Sequence, residues 1–175
     1  TLITIVDSAS GAAAAQTFSG QIGTATHKIA SISVGAASGN AGSAIFGEDV
    51  FAASLNILAG GSGENSTVSL SNAFTGTAVV LNDDTGLAKL VVAGTNTTIA
   101  GTIDGAATGE GTLQITGAGT TISGEVGVGT TDLAAIDVDA TTTFSTKTEA
   151  VAYTVDADTT FTGTVLANTG TTIGT

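Results

Sequence analysis

The chain has 175 residues, including 34 Thr and 25 Gly but no Pro, Cys, Met or Trp, and its formal net charge is −12. Nucleic-acid affinity comes largely from Lys and Arg, so three Lys and no Arg exclude a phosphate-binding surface. The same shortage of cations argues against docking on an anionic membrane. No apolar run approaches the ~20 residues of a membrane-spanning helix, so membrane insertion is not expected. Without Cys, disulfides and thiolate metal sites are excluded.

Short alternations of β-branched and polar residues recur along the chain, each followed closely by Gly, Asn or Asp. This pattern predicts many short strands joined by tight turns. The segments in chain order are Ile29–Val34, Thr67–Leu70, Leu113–Ile115, Ile136–Val138 and Tyr153–Val155.

One segment departs from this pattern. In Glu48–Leu58, the residues Phe51, Leu55 and Leu58 would share a helical face, and two acids would occupy the first helical turn. A helix here and a strand over Ser54–Leu58 are equal alternatives. We therefore expect a single domain over residues 1–175 with an irregular or partly helical insertion around 36–64.

The chain also contains an internal repeat, Thr-Thr-apolar-x-Gly-x-apolar. Its strong copies are TTIAGTI (97–103), TTISGEV (120–126) and TTFTGTV (159–165), and its weaker relatives are QTFSGQI (16–22), TTTFST (141–146) and TTIGT (171–175). A second apolar strand precedes each strong copy. The apolar anchors, spaced 23, 22 and 17 residues apart, are Ile99, Ile122, Phe144 and Phe161.

Units of this size cannot bury an apolar face alone, so they must stack into a continuous core. A parallel β-solenoid of roughly eight short rungs would place Thr on Thr and Ile or Phe on Ile or Phe, with small residues where backbones approach closely. An antiparallel β-sandwich, with each unit a hairpin, is the alternative. The drifting spacing counts against the solenoid, but the recurrence of residue types favours it, and we predict an all-β solenoid.

The run from Leu87 to Gly174, through its three strong repeat copies, resembles the passenger repeats of bacterial autotransporter surface proteins. The Thr-, Gly- and Val-rich repeats of rickettsial outer-membrane surface antigens are especially similar. The composition also resembles that of bacterial S-layer proteins, which are acidic, free of Cys and rich in Thr, Ala and Gly. The resemblance implies an exported β-solenoid at the cell surface that serves as a stalk, adhesin or lattice. Because Thr1 is not an initiator and no basic leader precedes an apolar run, we expect a mature product or an excised segment.

Neither end of the predicted coil shows the atypical polar cap that closes natural solenoids. Joining TTIGT to TLITIV on paper gives a sequence close to another repeat, so either the chain is cut from a longer array or copies stack end to end. The alternative is that the abundance of Thr and Gly produces this junction by chance. We therefore expect a non-enzymatic, extracellular structural protein that self-associates end to end or laterally into a cell-surface layer, filament or stalk.

Two alternatives remain open. One is an adhesin passenger segment that binds a host or glycan ligand through irregular segments such as 36–64. The other is a polysaccharide-acting β-helix enzyme. The enzyme is disfavoured because His27 is the only histidine, no Gly-x-Ser-x-Gly motif occurs and Arg is absent.

Calcium is the one candidate cofactor, since hard cations take carboxylate and carbonyl oxygens. Stacking of successive units would bring Asp137, Asp139, Asp156 and Asp158 together in one turn position, and a divalent ion would relieve their mutual repulsion. Asp83 and Asp84 form a weaker candidate pair. The alternative is that these acids are solvated turn residues, because Asp favours turns.

Overall fold

The computed structural model of the chain describes residues 1–7, 14–36, 39–61 and 63–173. Within these residues it contains sixteen β-strands and no helix. The strands are β1 (Leu2–Ile5), β2 (Gln16–Phe18), β3 (Ile29–Val34), β4 (Ser43–Phe46), β5 (Val50–Leu58), β6 (Ser66–Leu70), β7 (Phe74–Asn82), β8 (Ala88–Val92), β9 (Thr98–Gly105), β10 (Thr112–Ile115), β11 (Thr120–Ile122), β12 (Leu133–Val138), β13 (Thr142–Phe144), β14 (Thr148–Val155), β15 (Thr159–Phe161) and β16 (Val165–Ile173).

The strands form two eight-stranded sheets. Odd-numbered strands lie in order from β1 to β15 in one sheet, and even-numbered strands lie in order from β2 to β16 in the other. Each pairing of neighbouring strands is parallel. One rung therefore contributes one strand to each sheet, and the predicted parallel β-solenoid of eight rungs is confirmed. The antiparallel sandwich is wrong, because consecutive strands alternate between sheets instead of pairing as hairpins.

The repeat anchors form one column of the core. Ile99 pairs with Ile122, Ile122 with Phe144, and Phe144 with Phe161. The first three side chains are fully buried. The strands predicted to precede the strong copies are β8, β10 and β14, which lie in register in the opposite sheet with β12 between the last two. The drifting repeat length therefore does not disturb the stacking.

The two Thr residues of the repeat face opposite sides of the strand. The first Thr is buried in three copies, as Thr97, Thr120 and Thr142. The Oγ1 atoms of Thr120 and Thr142 donate hydrogen bonds to the carbonyls of Gly117 and Ala140 in the preceding turns, whereas Thr97 Oγ1 has no hydrogen-bond partner among the described residues. A buried hydroxyl that bonds a turn carbonyl avoids the penalty of an unpaired polar group. The second Thr forms an outward ladder, made of Thr98, Thr121, Thr143 and Thr160.

Glycines occupy corners where neighbouring rungs approach closely. A Cβ atom on Gly124 would overlap the carbonyl oxygen of Gly101, one rung earlier. Gly101 itself has a φ of 134°, which side-chain-bearing residues rarely adopt. The Gly of the repeat motif is thus required by close backbone packing at this corner.

The helix considered for Glu48–Leu58 is wrong, since Val50–Leu58 is strand β5. Val50, Ala52, Leu55 and Ile57 are buried, so the inward positions are two, three and two residues apart. The extra outward residue at Ala53–Ser54 interrupts the alternation. Of the predicted helical face only Leu55 lies inward, whereas Phe51 and Leu58 take half-buried outward positions. Parallel ladders to β3 and β7 on both sides hold the segment extended.

Within 36–64, β4 and β5 are ordinary members of the two sheets and no described residue is helical, so the partly helical form of the expected insertion is wrong there. Residues 39–42, 59–61 and 63–64 belong to no strand, and the irregular insertion stays a prediction. The outermost weak repeats differ in phase from the strong copies. Phe18 of QTFSGQI pairs with Phe46, and Ile173 of TTIGT pairs with Val155, so both lie in the even-numbered sheet. Residues 174–175 of the last copy lie outside the described residues.

Candidate functional site

Both ends of the solenoid present unpaired strand edges among the described residues. β1 and β2 each have a strand neighbour on one side only, and so do β15 and β16 at the other end. An open edge displays a row of free N–H and C=O groups that can pair with another chain. These two edges are therefore the main candidate contact surfaces of the molecule.

Apolar side chains are concentrated at the same ends. Five large apolar residues are exposed in the described part of the chain, and four of them lie in the first or last rung. These four are Leu2, Val6, Val165 and Leu166, whereas Leu87 lies midway. Core residues of the end rungs are also only partly covered: Ile3 and Phe18 at one end, and Phe161 at the other. Burial of such surface is the usual driving force for association.

The predicted acidic cluster lies near the last rungs, in a different arrangement from the expected one. Val138 pairs with Val155, and the backbone N–H of Asp156 donates to the Val138 carbonyl, so Asp139 and Asp156 follow equivalent strand ends. Asp137 instead pairs with Thr154. The Asp158 carbonyl accepts a hydrogen bond from the Thr142 N–H, so Asp158 lies beside the start of β13 and not beside Asp139. Asp139 and Asp156 thus occupy equivalent positions in successive rungs, with Asp137 two residues before Asp139 and Asp158 two residues after Asp156.

Within this group, Asp137 has a raised pKa. Partial burial raises the pKa of its carboxyl, and the charges of Asp139 and Asp156 raise it further, while Lys89 and a hydrogen bond from Gln114 lower it. Gln114 Nε2 lies 3.2 Å from Asp137 Oδ2 and 2.8 Å from Asp139 Oδ2. One amide therefore bridges two of the carboxylates across rungs.

No group of three or more Asp, Glu or His side chains is arranged to hold a metal ion within the described ranges. The calcium site at Asp137, Asp139, Asp156 and Asp158 stays a prediction. For the weaker pair, the structure supplies another role. Asp83 accepts backbone hydrogen bonds from Ala88 through Oδ1 and from Gly111 through Oδ2 at 2.9 Å, whereas Asp84 is exposed.

Carboxylates that tie one rung to the next are the class of residue that sequence reasoning missed. Glu149 Oε2 accepts the Gly129 N–H at 2.9 Å, and its Oε1 lies 3.0 Å from Lys147 Nζ. The Gly129 hydrogen bond lowers the pKa of Glu149 and Lys147 lowers it further, against the effect of burial. Asp49 accepts the Ala73 N–H in the same way, at 3.2 Å. Their only sequence signal is an acid beside a turn, a pattern that solvated acids share.

Tyr153 marks the buried side of this region. The side chain is 2% exposed, and its hydroxyl donates to the Leu166 carbonyl at 3.2 Å in the last strand. Burial raises the pKa of the Tyr153 hydroxyl, and the nearby charges of Glu149 and Asp132 raise it further. The phenol is therefore a neutral hydrogen-bond donor that attaches β16 to β14.

The one histidine lies in an exposed turn. His27 Nδ1 is 3.0 Å from Thr26 Oγ1, and the His27 backbone N–H donates to Thr24 Oγ1 at 3.0 Å. These contacts form a local turn before β3 and join His27 to no carboxylate.

A cavity near the first rung is lined by Ile5, Asp7, Gln16 and Ser43 among others. Its volume of about 170 Å³ is smaller than the roughly 300–1,000 Å³ of typical ligand sites.

Fold and surface together define the class as an acidic parallel β-solenoid whose open edges, and four of its five exposed large apolar side chains among the described residues, lie at its ends. Comparison of the chain with protein-family models, with curated proteins and with solved structures gave no match. A search of the described residues for a helix long and apolar enough to cross a membrane also found none.

Proposed function

We propose that the chain is a non-enzymatic, extracellular structural protein that self-associates into a cell-surface layer, filament or stalk. The observation that carries this proposal is that open strand edges and exposed apolar residues occur together at both ends of one continuous core. A net charge of −12 opposes contact between the acidic flanks of neighbouring copies. The end strands β1, β2, β15 and β16 contain no charged residue, which leaves the ends as the preferred contact.

The adhesin alternative located ligand binding in an irregular segment around 36–64. The strands β4 and β5 occupy just under half of that segment, and no feature of its described residues favours this alternative over self-association. The resemblance to autotransporter passengers and the S-layer-like composition remain compatible with the proposal.

Sedimentation and negative-stain electron microscopy of the purified chain over a wide concentration range test the proposal. We expect species larger than the 16.7 kDa monomer, with a population that rises with concentration. A single monomeric species at every concentration, with and without calcium, would contradict it.

A matched pair of variants separates association through the ends from non-specific stickiness. Val165→Lys places a charge at an open edge, where Val165 is 39% exposed, and should weaken association. Leu87→Lys removes an apolar side chain that is 55% exposed midway along the solenoid, and should leave association unchanged. Equal effects of the two changes would argue against the ends as the contact surface.

A further inference from the structure

The two ends of the solenoid differ, because parallel pairing gives the coil a direction. One end presents β1 and β2, and the other presents β15 and β16. An association that continues the parallel pairing must therefore join the last rung of one copy to the first rung of the next. A contact between two identical ends would place the facing strands antiparallel, so the parallel ladders would end at that junction.

The backbone register shows which residues such a junction would bring together. One ladder begins at Ile3 and ends at Val165, passing from β9 to β14 through isolated bridges at Val126. Its members, in order, are Ile3, Ile32, Leu55, Val79, Ile103, Val126, Thr148 and Val165. Ile3 and Val165 thus hold the first and last places of one column, and both are apolar.

A second ladder runs the length of the other sheet. Its members, in order, are Phe18, Phe46, Leu70, Val92, Ile115, Val138, Val155 and Ile173. Apolar residues again hold both end places. A following copy in register would place Ile3 next to Val165 and Phe18 next to Ile173, at the ~4.8 Å spacing of paired strands.

The exposed side chains agree with this junction. Ile3 is only partly buried at the first rung, and Val165 is 39% exposed at the last. Phe18 stacks on Phe46 with ring centroids 5.2 Å apart and is only partly covered on its other side. A second copy would cover these groups with residues of the same chemistry as those that cover the inner rungs.

We propose that copies of this chain stack head to tail, with β16 of one copy pairing in parallel with β1 and β2 of the next. This inference rests on the proposed self-association and specifies its geometry. A head-to-tail contact uses two different surfaces, and because each junction continues the solenoid along its own axis, successive copies extend the line instead of closing into a ring. The product is an open filament in which the solenoid continues from copy to copy.

The absence of Cys allows a direct test by engineered disulfides. In the proposed register, Thr164 lies opposite Leu2 of the next copy, because they precede Val165 and Ile3. The expected Cα separation of about 4.8 Å lies within the roughly 4.4–6.8 Å range of disulfides. Within one copy the two residues are seven rungs apart, about 34 Å, which prevents an internal bridge.

The double variant Leu2→Cys, Thr164→Cys is oxidised with copper phenanthroline and run on non-reducing gels. We expect a ladder of dimers, trimers and larger covalent oligomers that collapses to monomer on reduction. Each single variant should give dimers at most. Circular dichroism of each variant checks that the β-structure is retained.

The matched control is Leu2→Cys, Thr102→Cys. Thr102 lies on the same outward column as Leu2, through Ser31, Ser54 and Ala78, but midway along the solenoid. It should give no ladder if copies join at their ends. An equal ladder from this control would indicate lateral contact and overturn the head-to-tail geometry while leaving self-association intact.

Other outcomes are equally distinct. Efficient dimers from Leu2→Cys alone, with no ladder from the double variant, would indicate head-to-head pairing and overturn the inference. Assembly of the unmodified chain without any ladder would also overturn it and leave the proposed function standing. If the unmodified chain stays monomeric and no variant forms oligomers, both proposals fail.

Discussion

Phe161 lies flat on Phe144, with ring centroids 5.0 Å apart and planes 6° apart. The two residues are separated by 17 positions, whereas Phe144 and Ile122 are separated by 22. The difference is confined to one connection. Ile122 precedes Leu133 by eleven residues, but Phe144 precedes Ala150, the register partner of Leu133, by only six. A shorter connection therefore leaves the core register unchanged.

Truncation of Phe144 should be among the most damaging single changes. The side chain is fully buried between rungs, and Phe→Ala in a core costs about 3–5 kcal/mol. We expect Phe144→Ala to lower the urea midpoint strongly, and Phe161→Ala to lower it less because Phe161 is partly exposed. Equal losses for the two variants would show that Phe161 is covered in solution, as it would be at a junction between copies.

Glycine at the repeat corner should not tolerate a methyl group. A Cβ on Gly124 would overlap the Gly101 carbonyl, while a Cβ on Gly20 would meet no atom within 4 Å. We expect Gly124→Ala to cost about 1–3 kcal/mol from overpacking and Gly20→Ala to be nearly neutral. Thermal unfolding of the two variants measures the contrast, and a neutral Gly124→Ala would contradict the close approach of the rungs.

Asp83 should contribute to stability through its backbone contacts. Removal of its carboxylate leaves the Ala88 and Gly111 N–H groups without their acceptor, and an unsatisfied buried donor costs about 1–3 kcal/mol. We expect Asp83→Ala to be destabilising in chemical denaturation without added calcium. Asp84→Ala, at the exposed neighbouring position, is the control and should have little effect. A calcium requirement for the Asp83 effect would instead favour the metal site.

Glu149 should make stability fall in acid. Its pKa is lowered in the folded protein from an ordinary value of 4.5, so its ionised form stabilises the fold above that pH, and this contribution is lost as pH falls through the lower folded-state value. We expect Glu149→Gln to lower the thermal midpoint at neutral pH and to change it little in strong acid. A loss that is the same at both pH values would show that packing, rather than charge, is responsible.

Asp137 should behave in the opposite way. Its raised pKa means that the ionised carboxylate opposes folding at neutral pH, and protonation relieves this as pH falls toward its ordinary value of 3.8. Burial and the neighbouring charges of Asp139 and Asp156 all oppose the ionised form, so Asp137→Asn should stabilise the calcium-free protein slightly at pH 7. If calcium binds there, calcium chloride should raise the midpoint of the unmodified chain but not of Asp139→Asn. A destabilising Asp137→Asn would contradict the repulsion.

The fold could be predicted because its signals are local and repeated. Ile99, Ile122 and Phe144 occupy identical places in similar motifs, and stacking is the arrangement that buries all of them. The acidic site could be predicted only in part. Val138 pairs with Val155, so Asp139 and Asp156, which follow these residues, align. The turns that come next place Asp158 away from them.

The amino-acid sequence alone predicted a mainly β chain, a stacked repeat and the approximate number of rungs, since these follow from residue types recurring near a common period. Only the tertiary structure decided between parallel rungs and antiparallel hairpins. The tertiary structure alone decided that Val50–Leu58 is a strand, that Asp83 and Glu149 bind backbone amides of other rungs, and that Ile3 and Val165 share a column. Each of these features depends on hydrogen bonds between residues that are distant in sequence. A local sequence pattern does not show how each turn sets the register of a strand against the strand of the neighbouring rung.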